Sequence, residues 1–210
     1  MRDAAEFWNS VADRYARRAI GNPEAYRFTL ERTRAHLGPE DDVLELGCGT
    51  GSTALLLAPH VARYTASDLA PRMIEIAREK ARAQDAANLE FIAAELRDPR
   101  LAERPRDAVL ALNLLHLVDD LPGALAHIHE MLRPGGLLIA KTVCRPGRDA
   151  PILFHLAPAI LPLLQWLGKL PRFDLMKVET LERHIARAGF EILEAGNHPP
   201  PSRFIVARRA

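Results

Sequence analysis

The chain has 210 residues, of which 48% are hydrophobic and 26% are charged, and its formal net charge at pH 7 is +1. These values are ordinary for one globular domain with a buried core, and they argue against a disordered or fibrous chain. A charge this close to zero gives no bulk electrostatic attraction to nucleic acid or to an anionic membrane.

Cysteine usage and the first residues indicate a reducing compartment. Cys48 and Cys144 are the only cysteines and lie far apart, so no disulfide framework is expected and a cytoplasmic location is the default. Residues 1–18 lack the apolar stretch of a signal peptide. Only four of the basic residues are lysine, a bias that hints at a GC-rich bacterial source. The longest apolar run, 150–167, is interrupted by three prolines, and we do not expect it to span a membrane.

Strand-like apolar runs alternate with helix-like segments along the chain. The first clear helix begins at Asn22-Pro23, where asparagine caps and proline takes the first helical position, and it ends at Gly38. Further helices are expected at 71–82, 119–132 and 180–188, the last capped by Thr180 and closed by Gly189. Strands are expected at 43–46, 61–67, 89–93, 108–112, 137–142, 190–195 and 203–208.

This alternation predicts an α/β fold with a doubly wound sheet. Near-continuous apolar runs such as 108–112 suit parallel strands that are covered on both faces. The last two runs are joined by 196–202, a segment too stiff and long for a tight hairpin turn that can still return the chain antiparallel. No repeat or linker divides the sequence, so we expect a single domain over 1–210.

A glycine-rich turn follows the first predicted strand. Residues 43–52 read Val-Leu-Glu-Leu-Gly-Cys-Gly-Thr-Gly-Ser, and such glycines let the backbone turn sharply and let a ligand approach it. The dinucleotide fingerprint needs a glycine where this chain has Ser52, which argues against a pyrophosphate ligand. Asp68, at the end of the next strand, can accept hydrogen bonds from both ribose hydroxyls. Glu95 and the Leu96 amide, after the third strand, can bind an adenine.

Five segments together resemble a known family. Residues 45–51, Asp68, Glu95, 111–116 and 132–136 follow, in order and spacing, the pattern of class I S-adenosylmethionine-dependent methyltransferases. The most similar branch is the small-molecule one that includes the ubiquinone-biosynthesis methyltransferases. The resemblance covers 40–144 and implies a Rossmann-like, mostly parallel seven-stranded sheet with its last strand antiparallel and helices on both faces. It also implies S-adenosylmethionine as the cofactor.

The resemblance also implies roles for individual residues. Glu45 would face the methionine amino group, the glycines of the turn would line the methionine portion, and Asp68 would hold the ribose. Glu95 departs from the family, which more often has aspartate there. The predicted cofactor-binding residues are Glu45, Gly47, Cys48, Gly49, Gly51, Asp68, Leu69, Glu95, Leu96 and Asn113.

Two residues are candidates for catalysis. A sulfonium methyl group is already activated, so positioning the acceptor supplies most of the acceleration and a general base is optional. His116, after the fourth strand, is the candidate base or acceptor-orienting group; the alternative is a histidine that caps the helix after Asp119-Asp120 or packs at the surface. Tyr15 lies in a stretch that resembles the family's N-terminal lid. No metal site is expected, since His127 and His129 lie on different faces of a helix.

The expected organisation is an N-terminal helical lid segment at 1–38, a cofactor-binding core at 40–144 and an apolar insertion at 145–177. We interpret the richest part of the insertion, 150–173, as a lid over a small apolar or aromatic methyl acceptor. A buried helix pair or a homodimer interface are open alternatives. A nucleic-acid substrate is not expected, because 113–116 lack the Asn/Asp-Pro-Pro-aromatic signature of base amino-methyltransferases and no basic patch stands out.

Two other classes remain open. A NAD-dependent oxidoreductase shares the glycine turn and the ribose carboxylate, although it predicts glycine at 52 and no Tyr-x-x-x-Lys set is present. A non-catalytic cofactor-binding or interaction protein can have the same fold, because a fold does not determine a function.

Overall fold

The computed structural model describes residues 4–84, 86–145 and 173–210. The helices in these ranges are α1 Ala4–Arg17, α2 Pro23–Arg34, α3 Ser52–Leu57, α4 Pro71–Arg82, α5 Leu121–Met131 and α6 Val178–Arg187. The strands are β1 Asp42–Leu46, β2 Arg63–Asp68, β3 Leu89–Ala93, β4 Arg106–Leu112, β5 Leu132–Val143, β6 Phe190–Asn197 and β7 Ser202–Arg209.

The described strands form a seven-stranded sheet in the order β3-β2-β1-β4-β5-β7-β6. Neighbours from β3 to β5 are parallel, whereas β7 is antiparallel to both β5 and β6. The chain reverses its direction of winding between β1 and β4, and ligands of such sheets bind at that switch point, outside the carboxyl ends of the strands. The predicted doubly wound sheet with its last strand antiparallel is confirmed.

Hydrophobic clusters cover both faces of the sheet. Leu44 and Leu46 of β1 belong to a cluster that includes side chains of α5 and α6, whereas Val43 belongs to a cluster with side chains of α3 and α4. Successive side chains of a strand point to opposite faces. Glu45 therefore shares the α3–α4 face with Val43, although it carries a carboxylate.

Helix boundaries follow the predicted caps in part. The Asn22 side chain accepts a hydrogen bond from Ala25 N (2.9 Å) at the start of α2, but the helix ends at Arg34 rather than near Gly38. The α4 helix occupies the predicted residues. Thr180 as the cap of the last helix is wrong, because α6 begins earlier, at Val178, where that side chain packs on the α5–α6 cluster.

The end of the sheet also differs in detail from the prediction. β5 begins at Leu132, because Leu132 pairs with Arg106 of β4; after a register shift, the pairing resumes between Leu137 and Ala108. The connection between β6 and β7 is limited to four residues, 198–201, which is shorter than expected, and it returns the chain antiparallel as predicted.

Two predictions concern the periphery of the chain. Most of the apolar insertion, residues 146–172, lies outside the described residues. The predicted lid over the acceptor therefore stays a prediction. Within the described ranges, no helix is long and apolar enough to cross a membrane.

Candidate functional site

A cavity of about 1040 Å³ lies at the carboxyl ends of the parallel strands, at the switch point between β1 and β4. Its volume is at the upper end of the range for small-molecule sites, about 300–1,000 Å³. We call the part formed by the ends of β1, β2 and β3 the β1–β3 side. The β4–β7 side is formed by β4, β5, β7 and α2. The first contains the predicted cofactor residues except Asn113, which follows β4, and the second also contains residues that the sequence did not indicate.

The glycine turn after β1 has left-handed backbone conformations at three positions. Gly47, Gly49 and Gly51 have φ values of +69°, +54° and +73°. A Cβ atom at Gly47 would lie 2.9 Å from Leu114 Cδ1, and one at Gly51 would lie 2.7 Å from Phe91 Cζ. A Cβ at Gly49 would meet nothing closer than 3.8 Å. The outer glycines are therefore needed for packing, while Gly49 presents open backbone to the cavity.

Side chains from neighbouring elements hold this turn in place. Lys80 of α4 donates hydrogen bonds to Thr50 O (3.0 Å), Thr50 Oγ1 (2.9 Å) and Ser52 Oγ (3.1 Å). The Cys48 amide donates to Ser67 O (2.9 Å), which ties the turn to the end of β2. The backbone that faces the cavity is thus fixed from two directions.

Asp68 is oriented by two backbone amides. Its Oδ2 accepts from Gly49 N and its Oδ1 accepts from Ala70 N, each at 2.9 Å. Burial raises the pKa of the carboxyl, and these two amide bonds oppose the rise. The bond to Ala70, which precedes α4, shows that Asp68 also supports the start of that helix. Each carboxylate oxygen retains acceptor capacity for a diol in the cavity.

Glu45 is a buried carboxyl group in the wall of the cavity, with 3% of its surface exposed. Tyr64 of β2 donates its hydroxyl to Glu45 Oε2 at 2.9 Å. Burial raises the pKa of Glu45 to about 7, with Asp68 adding repulsion and the Tyr64 bond opposing the rise. A carboxyl in this condition gains strongly from a cationic ligand group, because the cation compensates the cost of burying its charge.

The structure brings nine of the ten predicted cofactor residues to the cavity. They are Glu45, Gly47, Cys48, Gly49, Asp68, Leu69, Glu95, Leu96 and Asn113. Gly51 is the exception, since it is not part of the cavity wall and packs against Phe91 and Ala77. Asn113 has a φ of +61°, and its amide donates to Lys141 O at 2.7 Å.

His116 lies apart from the cavity wall. It is buried in a short turn, with Nδ1 3.3 Å from Thr142 Oγ1 and 3.5 Å from the Val143 amide, which donates to it. The Phe173 ring packs on the imidazole at a centroid distance of 4.5 Å. Burial lowers the pKa of His116 to about 4, so the ring is neutral at pH 7. The alternative interpretation, that His116 caps a helix or packs at the surface, is wrong: the residue is buried, and Asp120 caps α5 by accepting from Gly123 N (3.0 Å).

Tyr15 lines the cavity and is half-exposed. Its ring meets Trp8 edge to face at 6.3 Å, and its Cε1 is the atom nearest to the Cβ position of Gly49. The α1 helix is held to α4, since Arg72 pairs with Asp13 (2.7 Å). The N-terminal helix thus brings an aromatic side chain to the mouth of the glycine turn.

Two residues of the β4–β7 side were missed by the sequence reasoning. Tyr26 of α2 lines the cavity, with its hydroxyl 3.3 Å from Thr53 Oγ1. Lys141 of β5 also lines it, is 8% exposed, and donates to Thr29 Oγ1 of α2 at 2.9 Å. Burial lowers the pKa of Lys141. One signal was available: Lys141 is the charged residue within the apolar run 137–142.

No group of histidine, cysteine, aspartate and glutamate residues within 4–84, 86–145 and 173–210 is arranged to hold a metal ion. The polar groups of the cavity include carboxylates, hydroxyl groups, backbone amides and a buried amine. Such a set suits an organic ligand that carries hydroxyl and cationic groups.

Comparisons with known proteins agree with this site and fold. Residues 43–136 match the family model of a methyltransferase domain. The ubiquinone biosynthesis O-methyltransferase of Methylocella silvestris is 37% identical over 103 residues, which cover 49% of this chain and 40% of that enzyme. The chain spans less than two thirds of the length of the curated relatives that it matches first.

Two solved structures show the same fold. The [4+2]-cyclase SpnF has a TM-score of 0.72 at 19% identity, over 91% of this chain and 84% of its own. The N-methyltransferase NodS from Bradyrhizobium japonicum WM9, in complex with S-adenosylhomocysteine, has a TM-score of 0.67 at 17% identity, over 96% and 98%.

The fold and the site define a Rossmann-like methyltransferase domain. Residues 43–136 are thus similar to methyltransferase domains, and the pattern of the chain resembles that of the class I S-adenosylmethionine-dependent methyltransferases. The match to a methyltransferase domain favours this class over the oxidoreductase alternative.

Proposed function

We propose that this chain binds S-adenosylmethionine on the β1–β3 side of the cavity and transfers its methyl group to a small apolar or aromatic molecule on the β4–β7 side. The observation that carries the proposal is the arrangement of Glu45, Gly49 and Asp68 around one end of a cavity that continues past the switch point. The bound cofactor would supply an activated methyl group. The chain would supply the binding, the orientation and the exclusion of water.

The residues of the β1–β3 side fit this cofactor in chemistry and in shape. Asp68 has acceptor capacity for a ribose diol, and Glu45 is a buried carboxyl that an amino-acid ammonium group would neutralise. Gly49 leaves room for close approach to the backbone. Glu95 and Leu96 lie at the end of β3, where an adenine would extend from the ribose.

The β4–β7 side supports an apolar acceptor. Its wall includes four aliphatic side chains of β4 and the segment that follows it: Leu112, Leu114, Leu117 and Val118. Burial of an aromatic or aliphatic acceptor against such a wall is favourable by about 25 cal/mol per Å² of apolar surface. The name of the Methylocella silvestris relative, which refers to a quinone pathway, agrees with an acceptor of this kind.

The test is calorimetric titration of the protein with S-adenosylmethionine, S-adenosylhomocysteine, NAD and NADP. We expect micromolar binding of the two adenosyl ligands only, and at least tenfold weaker binding by Asp68→Ala. Asp107→Ala is a matched control, because that aspartate accepts from Asp42 N far from the cavity wall. Binding of a nicotinamide cofactor instead would overturn the proposal.

A panel of acceptors would follow, starting with apolar phenols and quinols and detecting S-adenosylhomocysteine release. Cofactor binding without turnover on the whole panel would favour a non-catalytic or non-methylating role on the same fold. Turnover on charged, non-aromatic acceptors alone would retain the enzyme class but contradict the apolar acceptor.

A further inference from the structure

Lys141 is a buried lysine that lies apart from the residues proposed to bind the cofactor. It has 8% of its surface exposed, and it lines the cavity from β5, two strands away from Glu45. Adjacent strands are about 4.8 Å apart, so the two side chains are separated by about 10 Å across the sheet. Lys141 therefore lies beyond the switch point, on the side that the proposed function leaves for the acceptor.

The strand register shows that Lys141 and Glu45 point to the same face of the sheet. Glu45 pairs with Leu110, which pairs with Ile139, and Lys141 is two residues beyond Ile139. Residues two apart on a strand share a face. The neighbouring residue, Thr142, points to the opposite face, where it contacts His116. The lysine, and not the histidine, is thus on the cavity face of the sheet.

Hydrogen bonding leaves part of the amine free toward the cavity. Thr29 Oγ1 donates its own hydrogen to Ala25 O at 2.8 Å, so it accepts from Lys141 Nζ. A neutral amine has two hydrogens and one lone pair, and this contact uses one hydrogen. No described residue forms a salt bridge with Lys141. Among the described residues, the rest of the hydrogen-bonding capacity of the amine is therefore available to a ligand.

Other titratable and charged groups share this cavity. From α1, α2, the sheet and the connecting loops they are Tyr15, Arg18, Tyr26, Glu45, Cys48, Asp68, Glu95 and Asp119. The carboxylates of Glu45 and Asp68 belong to the β1–β3 side. Burial without a compensating anion favours the neutral form of Lys141, which agrees with its lowered pKa.

We infer that Lys141 is the acceptor-site base of this enzyme and that the acceptor presents a weakly acidic hydroxyl, as in a phenol or enol. This inference rests on the proposed function. The amine takes the hydroxyl proton and becomes an ammonium ion paired with the acceptor oxyanion. The oxyanion forms the bond to the donated methyl group, whose former bonding pair stays with sulfur, and the ammonium ion returns its proton to water.

Phenol is the class of acceptor that matches these groups. Proton transfer is most effective when donor and acceptor have similar pKa values, and phenols titrate near the range of a lysine amine. The aliphatic wall around Leu112, which is the strand partner of Lys141, suits the ring of such an acceptor.

The first test uses 4-nitrophenol as a probe, because its phenolate absorbs visible light. In the presence of S-adenosylhomocysteine, wild type should ionise the bound probe about tenfold more than water does at the same pH, as expected for a phenolate beside a cation. Lys141→Met should abolish this increase, and Lys141→Arg should retain it. The control is Lys177→Met, since Lys177 is exposed and lies outside the cavity wall. No increase in wild type, or an equal increase in Lys141→Met, contradicts the inference.

The second test is kinetic. With phenols of graded acidity, Lys141→Met should lose about 100-fold in kcat, and the loss should grow as the phenol becomes less acidic. Lys141→Arg should lose less, because its cation still stabilises the phenolate. Calorimetric binding of S-adenosylmethionine should remain unchanged in both variants. A uniform loss across the series would indicate a structural lysine that only joins β5 to α2. Absence of cofactor binding in wild type would instead refute the proposed function. The 4-nitrophenol result separately tests the role of Lys141 at the acceptor site.

Discussion

The two sides of the cavity differ in the distance along the chain that separates their residues. The β1–β3 side is built from short stretches that directly follow three strands, and backbone amides hold its key carboxylate, Asp68. The β4–β7 side combines α2, β5 and the start of β7 through contacts such as Lys141–Thr29, which joins residues 112 positions apart. The first relies on backbone geometry and tolerates little change. The second relies on side chains that can vary independently.

The largest effect should come from the backbone of the glycine turn. Gly51→Ala places a methyl group 2.7 Å from Phe91 Cζ and 2.8 Å from Ala77 Cβ at a left-handed φ, so we expect a loss of about 4 kcal/mol in the free energy of unfolding. Gly135→Ala has a similar φ but meets nothing within 4 Å, so it should lose about 1 kcal/mol. Urea denaturation measures both. Equal losses would contradict the packing role of Gly51.

Glu45 should make stability depend on pH. Its folded pKa of about 7 lies above the unfolded value of 4.5, so the folded carboxyl retains a proton that the unfolded chain releases. The resulting stabilisation is complete below pH 4.5 and is lost as the pH rises through 7. Between pH 4 and 8, Glu45→Gln should therefore gain about 3 kcal/mol relative to wild type. Glu90→Gln, at an exposed position, should show no such trend.

His116 should produce the opposite slope. Its folded pKa of about 4 lies below the unfolded value of 6.5, so stability falls as the pH drops from 6.5 to 4. In wild type this slope is largely offset by that of Glu45. Denaturation of Glu45→Gln across this range should therefore reveal a rise in stability with pH that wild type lacks. A flat profile in the variant would show that His116 is not buried in a neutral state.

Replacement of His116 should affect stability rather than ligand binding. His116→Asn removes the ring that packs on Phe173 and leaves the Thr142 hydroxyl poorly paired, so we expect a loss of about 2 kcal/mol in the free energy of unfolding. Because the imidazole lies outside the cavity wall, calorimetry should give the same affinity for S-adenosylhomocysteine as wild type. A tenfold change in that affinity would argue against this separation.

The smallest effect should arise at Tyr15, which lines the cavity from α1 and belongs to neither the β1–β3 side nor the β4–β7 side. Its ring lies over Gly49 and is half-exposed, so Tyr15→Ala should weaken S-adenosylhomocysteine binding about fivefold, or about 1 kcal/mol. Tyr15→Phe retains the ring and should change the affinity by less than about twofold. A large loss in the phenylalanine variant would instead assign a role to the hydroxyl.

The sequence predicted the sheet and the β1–β3 side because both depend on local patterns. Apolar runs locate the buried strands, and a glycine turn followed by Asp68 at the next strand end specifies a site through residues close in sequence. Gly51 was placed in the ligand site because spacing does not distinguish a glycine required by Phe91 from one that faces a ligand.

The β4–β7 side was not predictable in the same way. Lys141 and Thr29 meet only after α2 packs over β5, and no local motif records that contact. His116 was favoured because it follows the fourth strand, but the face to which it points depends on the turn 115–117, which buries it against β5 and Phe173. The sequence shows that a residue follows a strand, but it does not show the direction in which the side chain of that residue points.

The residues that flank the insertion meet one another on the body of the protein. The Arg145 amide donates to Met176 O at 2.8 Å, Arg145 Nε donates to Leu175 O at 2.7 Å, and the Asp174 amide donates to His116 O at 2.7 Å. The two ends of the insertion are thus hydrogen-bonded to each other, next to the end of β5. Because these bonds join the two ends of the insertion to each other and to the turn at His116, we expect changes in sequence or length between them to leave the sheet in place.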